Sequence, residues 1–297
     1  MFKKILLAIS PSVQTQSAPK AAFDIARRCG AELVIFHSHP LPKDSWINMA
    51  DLISEEQLVS AIAKRIEEVY ADDLKTLPGY SIRVSTRSVA EEVSPLVCKE
   101  KVDLIVMGHH TSDERRKKKM WGMVDTHVER VCNEATCPVM VVTNEASSIA
   151  AGVKRIAVAT DFSTPSEYAL RFAAWLAAEC GAKLDIFHVL DVGLCYPNPE
   201  YYQQDMEVFV AKAKKKMEQK YARFLNGLEY EFQAWEGAPF VEVLKFARWN
   251  KSDLLVMAHH SSIKDSHRAL IGSTVIQVAL SPGCPAIIVN YHPKVCM

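Results

Sequence analysis

The chain has 297 residues, with 35 basic residues against 35 acidic ones, 49% hydrophobic side chains and 24% charged ones. Such a composition can bury real cores and excludes a disordered chain, while a formal net charge of +0 removes any general pull toward nucleic acid or an anionic membrane. No apolar run approaches the roughly 20 residues of a spanning helix, the MFKKILLAIS start is too short for a secretory signal, and eight cysteines without a C-x-x-C pair point to reduced thiols in a cytoplasmic protein.

In chain order, KILLAIS (Lys4 to Ser10) is the first strand-like run. CGAELVIFHSHP (Cys29 to Pro40), VDLIVMGHH (Val102 to His110) and CPVMVV (Cys137 to Val142) follow. After NEASSIAAG (Asn144 to Gly152), a small-residue stretch that reads as a linker, the same order returns. RIAVATD (Arg155 to Asp161), CGAKLDIFHVLD (Cys180 to Asp191), SDLLVMAHH (Ser252 to His260) and CPAIIV (Cys284 to Val289) match the four earlier runs at offsets of 151, 151, 150 and 147 residues. Four matches in one order make the chain a tandem duplication, with domains over 1–146 and 152–297.

The second copy gives the cleaner reading. IAVAT is a buried strand, and Thr164-Pro165-Ser166-Glu167 predicts a helix start with Thr164 as N-cap in a capping box. That helix runs to Gly181, a glycine suited to the left-handed residue that ends a helix. LDIFHVL, EYEFQAW, DLLVMA and PAIIV are the next strands. KAKKKMEQKYARFL, VEVLKFARW and STVIQVAL are the helices between them. Strand and helix alternate, and runs such as LLVMA are apolar at every position, as in strands covered on both faces. The expectation is an α/β fold: per copy, one doubly wound parallel sheet of five strands.

In open parallel sheets, ligands bind beyond the carboxyl ends of the strands, where the strand order reverses. In copy two this selects Thr160, Asp161 and Phe162, then His188 and Val189, then Ala258, His259, His260 and Ser261. Gly272, Ser273 and Thr274 open a helix, where free N–H groups and two hydroxyls suit a phosphate. Ser273 as a simple helix cap is an equal reading.

ATDFS, FHVLD, DLLVMAHH, the helix-opening GST and the closing CPAIIV together resemble the universal stress protein family, in both halves of the chain. The resemblance implies flavodoxin-like domains of strand order 3-2-1-4-5, regulatory signalling in stress rather than metabolic catalysis, and ATP or AMP bound with Mg through a G-x-x-G-(nine residues)-G-[ST] loop and an Asp ending strand one. This chain departs from that loop. In copy two, Ala258 and Ser261 stand at the first two glycine positions and Gly272-Ser273 arrives one residue late. In copy one, Gly108 is present, but Thr111 replaces the second glycine and Gly122-Met123 lacks the hydroxyl. Asp125 aligns with Gly272 when counted from the closing strand, and Ser10-Pro11 replaces the strand-one Asp. Glycines let the backbone approach phosphate, so copy two is the expected nucleotide site and copy one a degenerate partner.

The pairs His109-His110 and His259-His260 end the fourth strand of each copy. Adjacent residues there point to opposite faces, and no ligand spacing typical of zinc is present, so no metal ligand is assigned. No G-x-S-x-G elbow exists, and no catalytic residue is assigned. The basic run Arg115 to Lys119 and the Tyr196, Tyr201, Tyr202 loop read as solvated or self-covering segments. Nucleic-acid partners are not expected. Pairing of the two domains through their fifth strands as an internal pseudo-dimer is expected, with a further homodimer as an open alternative. An interaction scaffold without nucleotide, and a metal-binding variant using the His pairs, are the alternative readings.

Overall fold

The computed structural model describes residues 1–9, 17–40, 54–108, 126–143, 152–191, 202–259, 274–279, 281 and 283–290. These divide into two compact units, the first within Met1–His110 and Asp125–Val142, the second within Thr143–Met297. In the first unit the strands are β1 (Lys4–Ile9), β2 (Glu32–Ser38), β3 (Tyr80–Ser85), β4 (Leu104–Gly108) and β5 (Val139–Val142). Its helices are α1 (Ser17–Cys29), α2 (Glu55–Val69), α3 (Ala71–Leu74), α4 (Val89–Glu100) and α5 (Thr126–Glu134). The second unit has β6 (Arg155–Ala159), β7 (Lys183–Leu190), β8 (Tyr230–Glu236), β9 (Leu254–His259) and β10 (Ala286–Asn290). Its helices are α6 (Thr164–Cys180), α7 (Tyr202–Tyr221), α8 (Pro239–Trp249) and α9 (Thr274–Ala279).

Every strand pair within a unit is parallel. The order is β3-β2-β1-β4-β5 in the first and β10-β9-β6-β7-β8 in the second, which is 3-2-1-4-5 in each. The central strands bury both faces, with Ile5, Leu6, Leu7, Leu104, Ile105 and Val106 fully enclosed, and Ile156, Ala157 and Val158 likewise. β3 and β8 are edges and stay half-exposed.

Both copies begin their central strand on the same device. Asp103 Oδ2 accepts the N–H groups of Lys3 and Lys4 at 2.7 and 3.4 Å, and Asp253 Oδ2 those of Lys154 and Arg155 at 2.9 and 3.0 Å. Strand-edge donors that would otherwise go unpaired are thereby satisfied. Helix α6 ends at Gly181 in the left-handed region, φ +66°, as Gly30 ends α1 at φ +62°. The start of α6 differs from expectation by one residue. Ser163, not Thr164, is the N-cap: its Oγ accepts the Ser166 N–H at 3.2 Å, and Pro165 falls at the second helical position. A Ser hydroxyl one residue earlier reaches that donor with the chain still extended, so Thr164 is already helical.

The copies differ beneath this shared frame. Asp185, inside the apolar-looking LDIFHVL, is fully buried and holds Arg155 through Nε at 2.7 Å and a second guanidinium nitrogen at 3.2 Å. Arg155 also donates to Asn250 Oδ1 at 3.2 Å. At the matching places copy one has Val34, Lys4 and Glu100, and Lys4 pairs with Glu32 and Glu100 at 3.0 and 3.4 Å instead. The cation at the start of strand one is kept; its carboxylates are now Glu32, at the first position of β2, and Glu100, at the end of α4.

Removing Arg155 strands a buried carboxylate, with Lys183 left 4.0 Å away. Arg155→Met is expected to lower stability by about 3–5 kcal/mol in urea unfolding. Arg155→Met with Asp185→Val, which restores the apolar residue of copy one, is expected to recover most of that loss.

Candidate functional site

In the second unit the chain runs from β6 outward to β7 and β8 on one side, and returns to β9 and β10 on the other. The strand order therefore reverses at β6, and the crevice beyond its carboxyl end is the place where such sheets take ligands. Thr160 and Asp161 leave β6 at this point, His188 and Val189 lie on neighbouring β7, and Ala258 and His259 end β9 on the opposite flank. Thr274 opens α9. His260, Ser261, Gly272 and Ser273 lie outside the described residues. So do His109, His110, Thr111, Asp125, the basic run 115–119, Tyr196 and Tyr201.

The buried hydroxyl of Thr160 organises the turn. It lies 2.6 Å from the Tyr221 hydroxyl and 3.1 Å from Ser166 Oγ, and it accepts the Phe162 N–H at 3.1 Å. Ser166 Oγ donates to the Ser163 carbonyl at 2.9 Å, and a carbonyl can only accept. One proton per hydroxyl then fixes the direction: Tyr221 donates to Thr160, Thr160 to Ser166, Ser166 to the carbonyl. Burial pushes the Tyr221 phenol above its usual pKa, so the relay stays protonated.

This network forces Phe162 into the left-handed region, φ +65°, a conformation that costs a bulky residue on the order of 1–3 kcal/mol. Its ring packs on His188 at 4.4 Å between centroids, and Lys216 Nζ lies 4.0 Å from the ring centre. Lys220 Nζ donates to its carbonyl at 2.6 Å. Asp161 turns outward beside it, and its Oδ1 accepts the Ser163 N–H at 2.9 Å. Desolvation acts to raise the Asp161 carboxyl, but hydrogen bonds from Ser163 and Ser166 outweigh it and hold the group below its usual value. Among the described residues no cation forms a salt bridge with Asp161.

His188 Nδ1 donates to the Thr160 carbonyl at 2.8 Å, which leaves Nε2 as an acceptor in the neutral ring. Burial is the main reason its pKa falls below the ordinary value, and the positive charge of Lys216 adds to it. The turn thus carries an ionised carboxylate, and the neutral His188 ring keeps Nε2 as an acceptor; both are groups that suit hydroxyl and amino donors. Sequence reading missed Lys216, Lys220 and Tyr221. Their signal was the i, i+4 spacing of Lys216 and Lys220 on one helix face, with Tyr221 next in line.

Copy one keeps part of this arrangement. His37, buried, donates Nδ1 to the Ile9 carbonyl at 3.1 Å, the same bond at the same register. Ile9 replaces Thr160, so no hydroxyl relay forms there, and Tyr70, matching Tyr221, packs on Phe23 at 5.4 Å. Gly108 does not need to be glycine for packing: a Cβ there would meet Ala18 Cβ at 3.4 Å, an ordinary contact. Ala258 at the matching place fits that view. Among the described residues no group of three His, Cys, Asp or Glu side chains is placed to hold a metal.

Both histidines have pKa values depressed by burial from 6.5. The unfolded chain therefore binds more protons just below that pH, and stability present above it falls as pH drops. Unfolding measured between about pH 5 and 7 is expected to show this slope, and His37→Asn with His188→Asn to flatten it.

The Universal stress protein family model matches residues 1–143 and 152–290, which is both units. A universal stress protein of Methanocaldococcus jannaschii is 28% identical over 150 residues, 48% of this chain and 84% of that one. A universal stress protein A homolog of Haemophilus ducreyi is 23% identical over 48% of this chain and 96% of its own. By fold, a universal stress protein from Archaeoglobus fulgidus DSM 4304 superposes with TM-score 0.68 at 18% identity, covering 98% of this chain and 97% of that one. A functionally unknown protein from Pseudomonas aeruginosa PAO1 gives 0.64 at 15% identity, over 97% and 92%. With the repeated sheet order, the repeated His-to-carbonyl bond and a family match over both units, the chain belongs to the universal stress protein family as a tandem member.

Proposed function

We propose that the chain is a cytoplasmic stress-response module that regulates by holding ATP or AMP in its second domain, and that it is not an enzyme. The observation that carries this reading is Asp161: ionised, outward-facing, at the switch point of the sheet, and without a salt-bridge partner among the described residues. With His188 Nε2 it forms an acceptor pair suited to ribose hydroxyls and the exocyclic amino group of adenine. That chemistry fits the nucleoside end of the ligand. From the sequence, the phosphate end is assigned to the Gly272-Ser273-Thr274 run, a glycine and two hydroxyl residues of types that suit an anion, and a Mg ion would travel with the phosphates and screen their charge.

Within this reading Thr160, through its hydroxyl relay, and Phe162, through its left-handed backbone, position the carboxylate. The first domain is the degenerate partner, because Ile9 replaces the relay's hydroxyl and Ser10-Pro11 stands where the second domain has Asp161. The cytoplasmic location draws on chemistry as well: the six cysteines among the described residues are all thiols.

Calorimetric titration of ATP with Mg into the full chain tests the proposal. Binding of a single equivalent is expected, weakened by about 10–100-fold in Asp161→Ala and lost in Gly272→Val. Absence of heat, together with an unchanged melting temperature at millimolar ATP, would sink it.

A further inference from the structure

On the second unit an open groove of about 950 Å³ follows α8. Trp235, Phe240, Val241, Leu244, Arg248 and Trp249 line it. Trp249 is 80% exposed and Phe240 39%, values out of keeping with a solvated helix face of a monomer. The floor is firm: Trp235 packs edge-on against Phe187 and Phe246 at 5.2 and 5.4 Å, and those two rings stack at 4.0 Å.

The duplication supplies the control. Helix α4 occupies the same place in copy one, and its buried positions Val93 and Val97 match Val243 and Ala247. At the groove positions, however, copy one has Ala90, Glu91, Ser94 and Lys99 where copy two has Phe240, Val241, Leu244 and Trp249, and Ser85 where it has Trp235. The fold therefore does not require an apolar face here. Copy two carries one and copy one does not.

Charge selects what covers it. Glu242, the acid on this stretch of helix, is turned in and pairs with Lys245 at 2.7 Å. Arg248 on the rim and Lys251 in the adjoining cleft have no carboxylate partner among the described residues. A second copy of the chain docked face to face would set Arg248 and Lys251 against themselves. We propose that the α8 groove of the second unit is a docking site for an acidic amphipathic helix of a partner protein, whose large apolar side chains at i, i+4 and i+7 fill the groove while its carboxylates meet Arg248 and Lys251. Aromatic and Arg side chains together are the usual anchors of such contacts.

The test uses no nucleotide, so its outcome is independent of the ATP reading. A displayed library of random peptides about four helical turns long is panned on the full chain. It is counter-selected on Phe240→Ala, Leu244→Ser, Trp249→Lys, three residues that copy one already carries on the same helix. The expected winners are acidic, with Leu, Phe, Trp or Met at helical spacing. Their synthetic forms should bind the triple variant about tenfold or more weakly, and weaken several-fold in Arg248→Glu and at high salt. If circular dichroism shows the triple variant unfolded, Arg248→Glu with Lys251→Glu decides. Neutral or basic winners, no winners, or equal binding to the variants would overturn the proposal. So would a dimer in sedimentation that the triple variant abolishes, because the face would then belong to a second copy.

Discussion

A single buried hydroxyl, that of Thr160, ties the end of the central strand to two helices. It stands at full capacity, accepting from Tyr221 and from the Phe162 backbone while donating to Ser166. Without it the turn after β6 has no reason to place a phenylalanine in the left-handed region, and Asp161 has no fixed direction. The rest of the crevice follows: the Phe162 ring settles on His188, Lys220 closes on the exposed carbonyl, and the imidazole is held by the carbonyl of Thr160 itself. Copy one shows the reverse case, since Ile9 supplies no hydroxyl and only the imidazole bond survives.

Much of the fold was legible in the sequence because it rests on signals that repeat. Apolar runs at fixed offsets gave the duplication, and continuous apolarity gave strands covered on both faces. Gly181 gave the end of α6. Legibility failed where one side chain is redirected by contacts distant in sequence. Asp185 hides in a strand that reads as apolar, because its charge is answered by Arg155 thirty residues earlier and by its neighbours in space. The N-cap of α6 moved from Thr164 to Ser163 because both residue types fit the rule and only the geometry separates them.

The candidate site was legible in outline. Asp161 and His188 could be placed from the strand ends alone, because the carboxyl edge of a parallel sheet is where ligands go. Lys216, Lys220 and Tyr221 could not, since a lysine-rich helix most often is a solvated face. What distinguishes those two lysines is the ring and the carbonyl they reach, both belonging to a residue about fifty positions earlier in the chain. The groove along α8 was equally silent, because single apolar residues on a helix carry no message until the fold shows them side by side.

The central strand of each unit lies between a neighbour close in sequence and one far away. β1 pairs with β2, about thirty residues on, but its other edge waits for β4, with Ile5 matched to Leu104. During synthesis at about 5–20 residues per second, the ribosome needs on the order of 5–20 s to supply that missing strand. Throughout that interval the most apolar edge of the nascent domain is open. The same wait recurs for β6 and β9 once the first domain has emerged. Anything that slows translation lengthens both intervals, because the wait is set by chain length and not by the strength of the pairing.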